Sequence, residues 1–194
     1  TESNGIRVSD GEAQVNSVDF IIGEHNNSTD FDTKNNGIFV NGANSNGIIV
    51  KTGGTVNIKK DGTYKPKFTV GGANSNGVYV TGGKTVAEIS DTNFDVSGNG
   101  TGILVGDSGG AAKVSTIKDT TFTVNVNSAN DNHGTGIYMH DGEVNIGENF
   151  KMNNGNGNDI FITINNLKDN KIQFSSGTST PTYDKADVIE ASGD

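Results

Sequence analysis

Apolar residues in this chain recur as short alternating triplets, with no stripe at helical spacing. A first pattern, Gly-Ile-x-Val, occurs as GIRV (5–8), GIIV (47–50), GVYV (77–80), GILV (102–105), GIYM (136–139) and, more loosely, DIFI (159–162). A second pattern follows a Gly-rich turn and reads QVNS, TVNI, TVAEI, KVSTI and EVNI. A third is apolar-x-apolar: IFV (38–40), FTV (68–70), FDV (94–96), FTV (122–124) and FKM (150–152). Alternation at period two with β-branched residues predicts strands. The hexapeptide GANSNG, at 42–47 and again at 72–77, sets the register between units.

Three short strands per unit, joined by Gly/Asn/Asp turns and repeated about six times, predict an all-β parallel β-helix, a solenoid of about six three-stranded coils. Residues 1–194 read as one such segment, with 19–36 as an insertion loop and 175–194 as a partial last coil or tail. The stretch VDFII (18–22) has no assigned place. A globular β-sandwich is the alternative fold, but a sandwich does not demand equivalent residues at equivalent points of each unit.

Stacked coils lie about 4.8 Å apart, the ordinary interstrand distance, so equivalent side chains form columns. Ile6, Ile48, Val78, Ile103, Ile137 and Ile160 are expected in one internal column, and Val8, Val50, Val80, Val105, Met139 and Ile162 in a second. Phe68, Phe94, Phe122 and Phe150, with Ile38 in the same slot, form an expected aromatic ladder. Asn46, Asn76 and Asn158 precede the first strand. They read either as a turn ladder or as ordinary turn residues that tolerate left-handed backbone.

Composition supports a narrow, stacked interior. Hydrophobic residues make up 31% of the chain and aromatics 7%, against 28 glycines and two prolines. The net charge is −9, Arg7 is the only arginine, and no Lys/Arg stripe suited to phosphates is evident. Nucleic acid and anionic membranes are therefore not expected partners. The absence of cysteine excludes disulfides, thiolate zinc sites and a cysteine nucleophile. The opening residues TESNGIRV enter a strand pattern at once, which reads as a segment of a longer chain.

GDSGG (106–110) looks like the nucleophile loop of chymotrypsin-like proteases. Its equivalents after the first strand of other units are SDGEA, KTGG, TGGK and HDG, all turn sequences. A triad also needs a histidine and a carboxylate placed around the serine. His25, His133 and His140 lie in no such context, although His140 occupies the equivalent turn one unit from Ser108. GDSGG is read as a turn, and no catalytic residue is assigned. The Gly-Gly-x-Gly-x-Asp calcium repeat is absent, DNHGTG and MHD lack metal-site spacing, and NGNGND (154–159) follows no dinucleotide pattern. Neither a metal nor a cofactor is expected.

If the flanking Ile and Val of Gly-Ile-x-Val point inward, the x position points outward. Those residues are Arg7, Ile49, Tyr79, Leu104, Tyr138 and Phe161. Outward positions elsewhere are mainly polar: Asn57, Ser115 and Asn145 on the second strand, and Thr69, Asp95, Thr123 and Lys151 on the third. One sheet thus carries an apolar and aromatic stripe, with Ile49, Tyr79, Leu104, Tyr138 and Phe161 as candidate ligand-binding residues. The other reading is that a loop, 19–36 or 126–134, folds over it.

The Gly-Ile-x-Val, GGTVNI and Phe-x-Val units, without cysteine and rich in Gly, Asn, Thr and Ser, resemble passenger domains of bacterial autotransporters (type V secretion) over residues 4–174. The resemblance implies a right-handed β-helix at the bacterial cell surface, anchored in the outer membrane by a barrel not contained in these residues. It further implies an adhesin segment whose partner is a host cell-surface protein or glycan, or a neighbouring bacterial cell. In that family the protease is a separate globular domain before the helix, whereas Ser108 lies inside the repeat. Two other classes stand beside the adhesin: a polysaccharide-degrading β-helix enzyme and a purely structural stalk. Asp95, Asp119 and Asp159 fall in no single column, which counts against the enzyme. Strand edges at the ends of such a segment would lack partners, so self-association is a further expectation.

Overall fold

The computed structural model describes residues 42–60, 62, 65–106, 112–124, 126–127 and 132–154, with strands at 4–9, 12–16, 20–22, 37–40, 162–164, 171–174, 182–183 and 189–191. Among the described residues there are strands and turns and no helix. The strands form three parallel sheets and one small antiparallel pair, Val126–Asn127 with Asn132–His133.

The first sheet contains Asn4–Ser9, Asn46–Lys51, Asn76–Thr81, Thr101–Val105, Thr135–Met139, Ile162–Ile164 and Ile189–Ala191 in that spatial order. The second runs Glu12–Asn16, Thr55–Lys59, Val86–Ser90, Ala112–Lys118, Gly142–Ile146 and Lys171–Phe174. The third runs Phe20–Ile22, Gly37–Val40, Lys67–Val70, Asn93–Val96, Thr121–Val124, Lys151–Asn154 and Thr182–Tyr183. From Gly37 onward the chain visits third, first and second sheet in strict rotation, and each visit adds the next strand. Antiparallel hairpins of the kind that build a sandwich do not give this order.

Rotation brings like residues onto like. Ile48, Val78, Ile103 and Ile137 are successive register partners, as are Val50, Val80, Val105 and Met139. The second sheet stacks Val56, Ala87, Val114 and Val144, then Ile58, Ile89, Ile117 and Ile146. The third stacks Ile38, Phe68, Phe94 and Phe122, then Val40, Val70, Val96 and Val124. Every one of these side chains is 1% exposed or less. A chain with 31% hydrophobic residues can be held this way because most of the Ile and Val among the described residues are buried, each contributing about 1.5–3 kcal/mol.

The phenylalanine ladder forms as expected for three members. Phe68 and Phe94 stack at 4.7 Å and 9°, Phe94 and Phe122 at 4.6 Å and 5°. Phe150 departs from the expectation. Phe122 pairs with Met152, and Lys151 pairs with Thr121, so Phe150 occupies the slot of the buried Thr92 and Thr120. The turn before it is one residue longer, 147–150 against 118–120. Its ring still meets Phe122, but tilted by 52° at 5.6 Å.

Asn46 and Asn76 form a ladder rather than isolated turn positions. Asn76 Nδ2 donates to Asn46 Oδ1 at 2.8 Å, and both side chains are buried. Asn158 lies outside the described residues. The buried Thr92 and Thr120 donate to the carbonyls of Ser90 and Lys118 at 2.9 and 2.7 Å. Such closure keeps buried hydroxyls from costing stability.

Two local features escaped the repeat. In the insertion, Phe20–Ile22 pairs in parallel with Gly37–Val40, so part of VDFII is an extra strand at the outer edge of the third sheet. In Ala112–Lys118, Ser115 and Thr116 together oppose single residues of both neighbours, a β-bulge. The Ser115 carbonyl it displaces accepts from Asn145 Nδ2 at 3.1 Å, and Ser115 Oγ donates to the Ala87 carbonyl at 3.2 Å.

Candidate functional site

The apolar stripe rests on the strictness of the first sheet's alternation. Between fully buried Ile48 and Val50, Val78 and Val80, Ile103 and Val105, and Ile137 and Met139, the intervening residue turns to the exterior. Those four, Ile49, Tyr79, Leu104 and Tyr138, are consecutive register partners and each is half-buried. Neighbours in the row are one interstrand step apart, which puts Tyr79 and Tyr138 on either side of Leu104 at about 10 Å from each other. Arg7 is the register partner of Ile49 at one end.

At the other end the expectation needs correcting. Ile137 pairs with Ile162 and Met139 with Ile164, so Thr163, not Phe161, stands opposite Tyr138. In register, Ile162 follows Ile137 and Ile164 follows Met139. Phe161 and Ile160 lie outside the described residues. The sequence there, IFITI, alternates through five residues, and a slip of two residues preserves which face each side chain takes. Periodicity thus specified the face and left two registers open. In register Tyr138 is followed by Thr163 and then Glu190.

Of GDSGG, Gly106 is described, while Asp107, Ser108, Gly109 and Gly110 lie outside the described residues. Gly106 has φ +75, and a Cβ there would meet the Asp141 carbonyl oxygen at 1.8 Å. Its N–H donates to the Val80 carbonyl at 2.8 Å, and the next unit's His140 and Asp141 N–H groups donate to the Val105 carbonyl at 2.8 and 3.2 Å. Glycine is required here by backbone approach, which accounts for this part of the motif without catalysis. His25 lies outside the described residues.

Two of the carboxylates weighed for a sugar-cleaving enzyme have partners of their own on different elements. Asp95 faces out from the third sheet and pairs with Lys67 at 2.6 Å. Asp119 lies in a turn between second and third sheets and accepts from Asn149 Nδ2 at 2.8 Å. Asp159 lies outside the described residues. Among the described residues no group of three or more His, Asp or Glu could hold a metal ion.

A second surface was missed by sequence reasoning. On the exterior of the second sheet, Asn57, Lys59, Glu88 and Ser90 line a groove of about 190 Å³. Asn57 and Glu88 are register partners on adjacent strands, and Lys118 is the partner of Ser90 on the far side. The turn after Lys59 is long, and Lys60 and Lys65 reach from it to Asp91 of the next unit at 3.0 and 3.9 Å. The signal in the sequence was IKKDGTYKPK (58–67), which holds four of the fourteen basic residues.

Comparisons with protein-family models, with curated proteins and with solved structures give no match to this chain.

Proposed function

We propose that the three sheets are the faces of a right-handed parallel β-helix of about six coils, and that the chain is a segment of a bacterial surface adhesin. In this reading the rod displays the row Ile49, Tyr79, Leu104 and Tyr138 to a host cell-surface protein or glycan, or to a neighbouring cell. The observation that supports it most is the contrast between faces. The first sheet turns four consecutive apolar residues outward, whereas the third turns out Thr69, Asp95 and Thr123 at the corresponding level. Tyrosines at two points of an otherwise aliphatic row offer flat apolar surface with a polar tip, which suits both protein and sugar partners.

Anchoring in the outer membrane, through residues other than these, belongs to the same proposal. Asp95 is taken up by Lys67 and Asp119 by Asn149, on different elements, which favours binding over glycan cleavage. A stalk without binding surface would need no such row.

The experiment is a binding screen against immobilised glycans and host surface proteins, with an oligosaccharide degradation assay alongside. The reading expects a captured ligand, no degradation, and loss of capture when Tyr79, Leu104 and Tyr138 are all replaced by Ser. Capture unchanged in that variant, or cleavage of an oligosaccharide, overturns it.

A further inference from the structure

The groove on the second sheet brings an ammonium, a carboxylate, an amide and a hydroxyl to one small space. The chain as a whole carries −9, and the groove's lining holds one lysine, Lys59, and one carboxylate, Glu88, with Asn57 and Ser90 beside them. Lys60 and Lys65 are engaged by Asp91, which ties the long turn down beside the groove. Among the described residues Lys59 and Glu88 form no ion pair, so one ammonium and one carboxylate face the same small space. Ser90, with its short side chain between Lys59 and Lys118, leaves the notch.

We propose that this groove binds one sugar ring bearing a carboxylate, a uronic acid residue of an acidic glycan. A volume of about 190 Å³ has room for about six waters, the scale of one hydroxylated ring. The Lys59 ammonium supplies a charge-assisted bond to the ligand carboxylate. Glu88 accepts from ring hydroxyls, and the Ser90 hydroxyl supplies either a donor or an acceptor. Glu88 also sets selectivity: a carboxylate beside the lysine repels multiply charged phosphate and sulfate, while it rewards a singly charged ligand rich in hydroxyl donors. The proposal rests on the reading of the chain as a glycan- or protein-binding rod but uses a different sheet from the apolar row.

Titration with D-glucuronate, followed by ligand-observed NMR, tests it directly, with D-glucose, acetate and inorganic phosphate as comparators. Saturable binding of glucuronate is expected, at least about tenfold tighter than glucose or acetate. Lys59→Gln should weaken glucuronate about tenfold and leave glucose unchanged, the loss of one charge-assisted bond. Glu88→Gln should weaken glucuronate and strengthen phosphate. Both side chains are exposed, so the fold should survive, as circular dichroism would verify. Equal binding of acetate or phosphate, no saturation by glucuronate, or indifference to Lys59→Gln overturns the proposal. Tyr79→Ser should leave the titration unchanged, so failure of the apolar row and failure of this site are separately visible.

Discussion

A Cβ on Gly102 would stand 2.9 Å from the Phe122 ring and 2.6 Å from the Gly136 carbonyl oxygen. The glycine that opens the first-sheet strand and the phenylalanine of the third-sheet strand are therefore one packing unit. Gly77 repeats the relationship with Phe94 and with the Gly102 carbonyl at 3.2 and 2.7 Å. The Gly-Ile-x-Val and Phe-x-Val patterns recur together because ring and neighbouring backbone take the space a side chain would need.

Gly102→Ala should accordingly destabilise the chain by about 2–3 kcal/mol, the scale of overpacking against backbone that cannot yield. Gly83→Ala is the control, since nothing lies within 4 Å of a Cβ there. It should change stability by less than about 0.5 kcal/mol. Denaturant unfolding of the two variants measures the difference.

Phe94 has a stacked ring on each side, at 4.7 and 4.6 Å. Phe94→Ala opens a cavity in the middle of that ladder and should cost about 3–5 kcal/mol. Thermal unfolding followed by far-UV circular dichroism would register the loss, and a variant melting with the parent would contradict continuous stacking.

The asparagine ladder has a direction. Asn76 donates its amide to Asn46 Oδ1, so Asn46→Asp keeps the acceptor while Asn76→Asp removes the donor and sets two acceptors together. At neutral pH Asn76→Asp should be the more destabilising, by about 1–3 kcal/mol. Equal losses in urea unfolding would mean the opposite amide orientation or a bond of no consequence.

Asp91 holds Lys60 and Lys65 with 18% of its side chain exposed, at φ +50. Asn is at ease in left-handed backbone, so Asp91→Asn removes the charge while keeping the turn. Stability should fall by less than about 1 kcal/mol, as for other exposed pairs. Limited proteolysis should nevertheless cut the 60–66 turn faster, and an unchanged cleavage rate would show that the two lysines do not tie it down.

These residues also show what periodicity can and cannot reveal. Alternation and the doubled GANSNG placed Ile48, Val78 and Ile103 in one column and Ile49, Tyr79 and Leu104 in one row, because facing and level are both written in those units. It failed at Phe150 and Phe161, where alternating runs fit two registers, and at Phe150 a turn one residue longer decided between them. The Ser115–Thr116 bulge escaped because an extra residue within a strand leaves the flanking valine and isoleucine in place. The groove escaped because Lys60 and Lys65 meet Asp91 from the next unit, a contact between levels that neither sequence segment reveals alone.

The outward row is the claim on which function depends, and the chain's lack of cysteine makes it directly measurable. Single substitutions Ile103→Cys, Leu104→Cys and Val105→Cys place one thiol at three successive positions of the same strand. In the native state a maleimide reagent should label Leu104→Cys rapidly, and should label the other two only after unfolding. Protection of all three would mean that another part of the chain covers the row, and would contradict its role as a binding surface.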